Sequence, residues 1–251
     1  MDAERILIVV AHPDDETIGA GIWMARRPSC DGITLLHVTD GSPRNLSDAR
    51  SAGFATREEY AAERRRELLA AVGLAGIRPE QCRALGFVDQ EASFDLRLLV
   101  ASIRDVIAEL KPGLILTHPY EGGHPDHDAC AFAVAQALKR APHYEFVSYH
   151  NGPAGLIPGK FLREEGSEEI LTLSPAEREL KTAMFECFRT QKRVLDWFSI
   201  DQERFRIAPK YDFTQPPHEG ELLYERFGFA TGDDWRRSAT YALEMSTSSR
   251  F

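Results

Sequence analysis

The chain is short of the features that mark several whole classes of protein. It has four cysteines in 251 residues, Cys30, Cys82, Cys130 and Cys187, and no C-x-x-C pair among them. That excludes a thiolate zinc site and points to reduced, buried thiols rather than a disulfide scaffold. It has no excess of positive charge: 30 Lys and Arg against 39 Asp and Glu give a formal net charge of −9. An acidic surface repels phosphate backbones, and the cluster Arg64-Arg65-Arg66 is too short to reverse this, so nucleic acid is not an expected partner. Long hydrophobic runs are missing as well. The apolar run Ile6 to Val10 sits behind an acidic Met-Asp-Ala-Glu start and is far shorter than the roughly 20 residues that cross a bilayer. No membrane partner and a cytoplasmic location are the expectation. There is no internal repeat and no low-complexity tract.

What is present suits a soluble α/β protein. Hydrophobic residues make up 43% and charged residues 27% of a chain long enough to bury a sizeable core. Ile6 to Val10 and Ile33 to Val38 are short continuous apolar runs, as in strands buried on both faces. Further strands are expected at Arg83 to Phe87, Leu114 to Thr117 and Tyr144 to Tyr149. Helices are expected at Thr17 to Arg27, Arg57 to Val72 and Leu96 to Leu110, then from Pro125 to Lys139, and from the capping box at Ser174-Pro175-Ala176-Glu177 to Arg189. Thr39 to Pro43 is rich in turn residues, and Ser47 to Thr56 is polar and small, so both read as loops. Alternating strands and helices imply right-handed βαβ units and a doubly wound, mostly parallel sheet flanked by helices. The whole of 1–251 is expected to form one domain, with a core at 1–150 and a loop-rich substrate cap at 151–251.

Two segments carry the chemistry. Ala11-His12-Pro13-Asp14-Asp15-Glu16 directly follows the first strand, and His118-Pro119-Tyr120-Glu121-Gly122-Gly123-His124-Pro125-Asp126-His127-Asp128 directly follows Leu114 to Thr117. In an open α/β sheet, ligands bind at the carboxyl ends of strands. A helix cap needs one Asp, not a His and three acids together. Pro125 suits the first turn of a helix, which puts His124 and His127 on one side, and Gly122-Gly123 permits close backbone approach. His and carboxylate donors suit Zn²⁺ or another divalent ion. A catalytic site needs three protein ligands and an open position, and His12, Asp15 and His127 fit that count. Asp14 is then a free carboxylate beside the ion, a general base. His124 is positioned for the leaving group or oxyanion, with Asp126 or Asp128 to hold its tautomer.

The pair A-H-P-D-D-E and H-P-D-H, about 110 residues apart, resembles the PIG-L/LmbE-like N-deacetylase family over the first 140 residues. The resemblance implies a Rossmann-like zinc enzyme that removes acetyl from N-acetylglucosamine units. It implies His12, Asp15 and His127 as ligands, Asp14 as base, His124 as acid or oxyanion stabiliser, and Asp126 behind it. Thr39-Asp40-Gly41 resembles the family's T-D-G loop near the sugar, which makes Asp40 a substrate contact. Ser42 stands where the family usually has Glu. Arg64 and Glu67 resemble its R-x-x-E pattern, with Arg64 anchoring a sugar hydroxyl or phosphate. Gly122 stands where some members have Tyr, which makes Tyr120 the nearest substitute. His218, beside Glu219, is a candidate for lining the pocket, as is His150, and Trp197 and Trp235 are either packing residues or sugar platforms. The expected partner is a small N-acylated amino sugar or conjugate, and a homo-oligomer is left open.

Three rivals remain at this stage. An amidase acting on a thiol conjugate would keep the ion and change the bond. A non-catalytic binding protein would agree with the missing G-x-G-x-x-G after the first strand, but leaves Asp14 without a job. A phosphoesterase would need two ions.

Overall fold

Ile6 to Val10 has no exposed side chain above 4%, and burial on both faces is what makes an uninterrupted apolar strand stable at the centre of a sheet. A computed structural model of the chain describes residues 3–139, 141–163 and 167–248. In order, the elements are β1 (Ile6–Val10), α1 (Asp15–Ala25), β2 (Ile33–Pro43), α2 (Ser47–Ser51), α3 (Arg57–Leu74), β3 (Cys82–Asp89), α4 (Leu96–Leu110), β4 (Leu114–Thr117), α5 (Pro125–Ala137), β5 (Tyr144–Phe146), β6 (Tyr149–Gly152), β7 (Gly155–Pro158), β8 (Glu169–Thr172), α6 (Pro175–Glu186), α7 (Lys192–Leu195), β9 (Gln202–Ile207), α8 (Leu223–Arg226) and α9 (Gly232–Ser248).

Seven strands form one sheet in the order β3-β2-β1-β4-β5-β9-β8. The pairs from β3 through β5 are parallel, whereas β9 is antiparallel to both β5 and β8. The fold is the expected α/β arrangement of a mostly parallel sheet between helices. Alternate residues of β1 face two cores: Leu7 and Val9 pack with α4, α5 and α9, and Ile6, Ile8 and Val10 pack with α1, α3 and α6. Strand order reverses between β1 and β4, and a crevice opens there above their carboxyl ends. No helix among the described residues is long and apolar enough to cross a membrane.

Several local expectations need correction. β2 does not stop at Val38 but runs through the turn-rich Thr39 to Pro43, tolerated because its register against β3 shifts twice there. The loop expected at Ser47 to Thr56 contains α2. The helix expected at Thr17 begins two residues earlier, at Asp15, and the one expected to reach Lys139 ends at Ala137. The strand expected at Tyr144 to Tyr149 is two strands, and the second pairs with β7 in a separate hairpin. The region after 150 is more regular than its composition suggested. β8 and β9 extend the main sheet, and the 17-residue α9 packs Trp235, Ala239 and Ala242 into the core.

Midway along α1, a buried ion pair from the later chain meets the helix backbone. Lys181 Nζ donates to the carbonyls of Thr17 (2.6 Å) and Ile18 (2.8 Å) and lies 2.5 Å from Glu203 Oε1. Glu203 in turn accepts the N–H groups of Ile22 and Trp23, at 2.8 Å each. The helix that starts with Asp15 is thus pinned by α6 and β9.

Candidate metal centre

The loops after β1 and β4 deliver their polar groups to the crevice by simple local means. The His12 N–H donates to Asp15 Oδ2 at 2.7 Å, closing the turn into α1. His124 caps α5, with Pro125 at the first helical position. Gly123 is needed for close approach, because a Cβ there would lie 2.0 Å from the Tyr149 carbonyl oxygen.

Donor atoms of three residues converge, the two histidines each meeting a different oxygen of Asp15. His12 Nδ1 is 3.2 Å from Asp15 Oδ2, His127 Nε2 is 3.3 Å from Asp15 Oδ1, and the two ring nitrogens are 3.3 Å apart. Donors about 2.0–2.2 Å from one tetrahedral zinc ion sit roughly 3.3–3.6 Å from each other, so this set has the right span. The outer ring nitrogens support the same assignment. His12 Nε2 faces Asp89 Oδ1 at 3.1 Å and Asp126 Oδ2 at 3.4 Å, and His127 Nδ1 meets Ser148 Oγ at 3.1 Å. Metal-binding histidines are oriented in this way, by a partner on the nitrogen that does not bind. His118 stacks on His127 with centroids 3.9 Å apart. Its Nε2 accepts the Ala11 N–H at 3.1 Å and lies 3.3 Å from Asp15 Oδ2, so His118 stands beside the same carboxylate, and Asp15, His118 and His127 form a second group able to hold an ion.

Burial and charge act together on these groups. Burial pushes Asp14 up to about 7, against the pull of Arg64. Burial also raises Asp15, but His127 and His118 outweigh it and hold that carboxyl well below its usual range. For His12 burial is outweighed by Asp89, with Asp126 and Asp15, and the imidazole stays well above its usual value. His127 is pushed down to about 3 by burial and by His118, which leaves it a neutral ring with a free lone pair. His124 is lowered by burial and by His12.

Not every expected residue comes to the site as expected. Asp126 does not bind the His124 ring with its carboxylate. Its oxygens accept the N–H groups of Gln90 (2.6 Å) and Ala92 (3.0 Å) and lie nearer His12 than His124, whose Nδ1 is 3.9 Å away. The backbone N–H of Asp126 donates to His124 Nδ1 at 3.2 Å instead, and that fixes the proton on Nε2. Asp128, the other candidate, accepts from Glu121 N and Gly122 N and shapes the loop. Arg64 lines the cavity, but its guanidinium is turned to Asp14 Oδ2 (2.9 Å) and to the carbonyls of Gly41 (2.6 Å) and Pro13 (3.2 Å). Gly41 permits this, with φ 67° and no Cβ to strike the guanidinium. Asp40 is held by Arg57 and by the Ser42 N–H, outside the cavity lining. Tyr120 is buried among Tyr211, Phe213 and Trp235 with its hydroxyl on the Gln215 carbonyl, and it lines a different cavity. His218 and His150 each meet a neighbouring backbone carbonyl, of Glu219 and Asn151, and neither lines the cavity with His12. Trp235 is a core residue, whereas Trp197 stands at the cavity.

Asp89, Ser148 and Tyr149 were missed. Asp89 ends β3 and so shares the strand-end signal that marked the two motifs. Ser148 lies between β5 and β6 and Tyr149 begins β6, and no spacing announces them.

The pattern of the family described as PIG-L: GlcNAc-PI de-N-acetylase matches residues 7–138. The chain belongs to this family. It is 36% identical over 232 residues to a probable N-acetyl-alpha-D-glucosaminyl L-malate deacetylase 2 of Bacillus anthracis, covering 84% of this chain and 99% of that protein. It is 38% identical over 141 residues to a protein of the same name from Bacillus subtilis (strain 168), covering 55% of this chain and 62% of that one. Among solved structures, a triple mutant of a deacetylase involved in the teicoplanin biosynthetic pathway shares the fold with a TM-score of 0.65 at 22% identity, covering 83% and 99% of the two chains. Both family motifs fall inside the matched residues, and the donor atoms that converge in the crevice come from them.

Proposed function

We propose that this chain is a metal-dependent hydrolase that removes an N-acyl group, acetyl foremost, from an amino sugar or a small conjugate of one. The observation that carries the proposal is the ring of donors on His12, Asp15 and His127, 3.2–3.3 Å apart, with Asp14 beside it as a carboxylate outside the ligand set. Family membership and the acetylated glucosaminyl conjugates in the names of the two Bacillus relatives support the substrate class. His12, Asp15 and His127 would hold the ion, and two nitrogens with one carboxylate favour Zn²⁺. When bound, the ion polarises the acyl oxygen and makes water acidic enough to attack near neutral pH.

The protein's own groups then have separate tasks. Asp14 takes the proton of the attacking water as its oxygen adds to the carbonyl carbon. Arg64 holds that carboxylate in one orientation through the 2.9 Å contact to Oδ2. His124 directs its Nε2–H at the developing oxyanion. The C–N bond breaks, the nitrogen takes up the proton gathered by Asp14, and acetate and a free amine leave. Residues 151–251 serve as the cap of the same domain.

Metal-loaded protein is expected to release acetate and primary amine in equal amounts from acetylated glucosamine conjugates. Chelation stops the reaction, and one metal equivalent restores it. Full turnover after exhaustive metal stripping overturns the proposal. Release of amine from a cysteine conjugate, with none from acetylated sugars, moves the assignment to the rival amidase.

A further inference from the structure

Glu67 completes the R-x-x-E pattern and has no task in the proposed reaction. It lies on the same face of α3 as Tyr60 and Arg64, at spacings of four and three residues. All three are buried, with 1%, 4% and 1% of their surface exposed for Tyr60, Arg64 and Glu67. Arg64, in the middle, turns to Asp14. The residues on either side of it turn to the second half of the chain. Glu67 accepts the Thr190 N–H at 3.0 Å on one oxygen and the Thr190 hydroxyl at 2.5 Å on the other. Tyr60 Oη accepts from Gln191 Nε2 at 2.6 Å. One helix face therefore holds both the proposed base and the turn Arg189–Gln191.

Gln191 lines the cavity together with His12, Asp14 and Asp15. Its Nε2 also donates to the Thr190 carbonyl at 3.2 Å. A carbonyl oxygen can only accept, so the nitrogen is the arm of the amide turned that way. Both of its hydrogens are then engaged, by Tyr60 and by Thr190. Oε1, on the opposite arm of the planar amide, has no hydrogen-bond partner among the described residues. It is an acceptor whose orientation is set before a ligand arrives, which lowers the cost of binding one. The other polar groups of the cavity differ. In the proposed reaction His12 and Asp15 hold the ion, and Asp14 and His124 move or direct protons. Arg64 is turned to Asp14 and to two carbonyls. Asp89 faces His12 Nε2. Asp48 is exposed, and the bond from Gln90 to Asp126 uses its backbone N–H.

We infer that Gln191 is a sugar-recognition residue: its Oε1 accepts a hydroxyl of the amino sugar, and Tyr60 and Glu67 are positioning residues that hold it for that contact. This rests on the de-N-acylation proposed above and deepens it, since an acylated amine without hydroxyls cannot make the bond. A sugar hydroxyl supplies the donor that an amide oxygen needs, and the contact changes no charge in the cavity.

The test compares the methyl glycoside of N-acetylglucosamine with the analogues that each lack one of its three hydroxyls, on metal-loaded enzyme, reading kcat and KM from released amine. In Gln191→Ala the parent sugar is expected to lose about three- to ten-fold in kcat/KM, the range of one neutral hydrogen bond. The loss is expected in KM, with kcat unchanged. For the analogue that lacks the contacted hydroxyl, the same substitution should have almost no effect. Tyr60→Phe keeps the ring and removes the acceptor of Nε2, and is expected to give the same pattern with a smaller loss. Glu67→Ala is expected to follow it, with Glu67→Gln restoring most of the KM. No loss in Gln191→Ala, or equal losses on all four sugars, overturns the contact, and the same result in Tyr60→Phe overturns the positioning. Binding of the amine product, methyl glucosaminide, measured by calorimetry, separates the two levels of the argument. Weaker binding in Gln191→Ala, absent for one of the product's deoxy analogues, supports the contact even if no acetylated sugar is hydrolysed, and that outcome sinks only the reaction. Hydrolysis with equal losses sinks the contact and leaves the reaction standing.

Discussion

The two halves of this chain build the molecule by different rules. Residues 6–137 alternate strands and helices, pair their strands in parallel, and place His12, Asp14, Asp15, Asp89, His118, His124 and His127 in or beside loops at strand carboxyl ends. Residues 144–248 add β9 and β8 antiparallel to the sheet edge and contribute none of the donors in the ring. They act on that ring from outside. Ser148 orients His127, Lys181 and Glu203 pin α1 behind Asp15, and Trp197, Phe227 and Phe229 wall the cavity. Parallel strands aim their ends at one crevice, so reacting groups collect there. A later segment can fix and shape such a site without adding a ligand.

The sharpest way to test this division is at Asp14. Asp14→Asn keeps an acceptor for Arg64 but loses the base. Turnover is expected to fall about 10²–10⁴-fold, with metal content unchanged by elemental analysis. Loss of the metal would make Asp14 a ligand and redraw the ring. Lys181→Met tests whether the second half is more than a cover. It leaves Glu203 as an uncompensated buried charge, which costs about 3–5 kcal/mol and lowers Tm by roughly 6–20 °C at about 2–4 °C per kcal/mol. Because α1 begins with Asp15, which is proposed to hold the ion, metal affinity is expected to fall as well, and calorimetric titration measures that. An unchanged Tm with unchanged affinity would reduce residues 144–248 to a covering.

The same division explains what could be read in the sequence. In the first half, each strand is a local run and each motif sits beside one, so His12, Asp15 and His127 could be named as candidates from order alone. Asp89 escaped because it stands singly, although it ends a strand like the others. Asp126 was expected to hold the His124 tautomer and meets that ring through its backbone N–H rather than its carboxylate, a choice between groups that spacing does not reveal. In the second half, Ser148, Lys181 and Glu203 matter only through contacts more than twenty residues away along the chain, such as Lys181 to Thr17. β8 and β9 are short strands whose partners are set by tertiary pairing, so propensity did not distinguish them from loop.

The smallest expected effect lies on the seam between the halves. Glu121, in the loop after β4, is 2% exposed, and its Oε1 accepts the Leu162 N–H at 2.7 Å. Arg206 Nη2 lies 3.4 Å from the same oxygen. Burial, with Glu145 nearby, pushes Glu121 up from 4.5 to about 8, and burial raises Glu145 to about 7 against the pull of Arg206. The folded protein therefore keeps protons that the unfolded chain releases above 4.5. The stability this contributes is full below that value and is lost as pH rises through 7 to 8. Tm is expected to decline from about pH 4.5 to about pH 8 and to level off above that. Glu121→Gln imitates the protonated acid and can still accept the Leu162 N–H. Its Tm should match the parent at about pH 4 and exceed it by at least about 2–4 °C at pH 9, the shift that roughly 1 kcal/mol produces in a chain of this size. Because Glu145 still titrates, the decline should shrink without vanishing. Parallel Tm profiles for the two proteins would mean that Glu121 is already ionised in the folded state, held by Arg206 across the seam, and that the two halves are joined there by an ion pair.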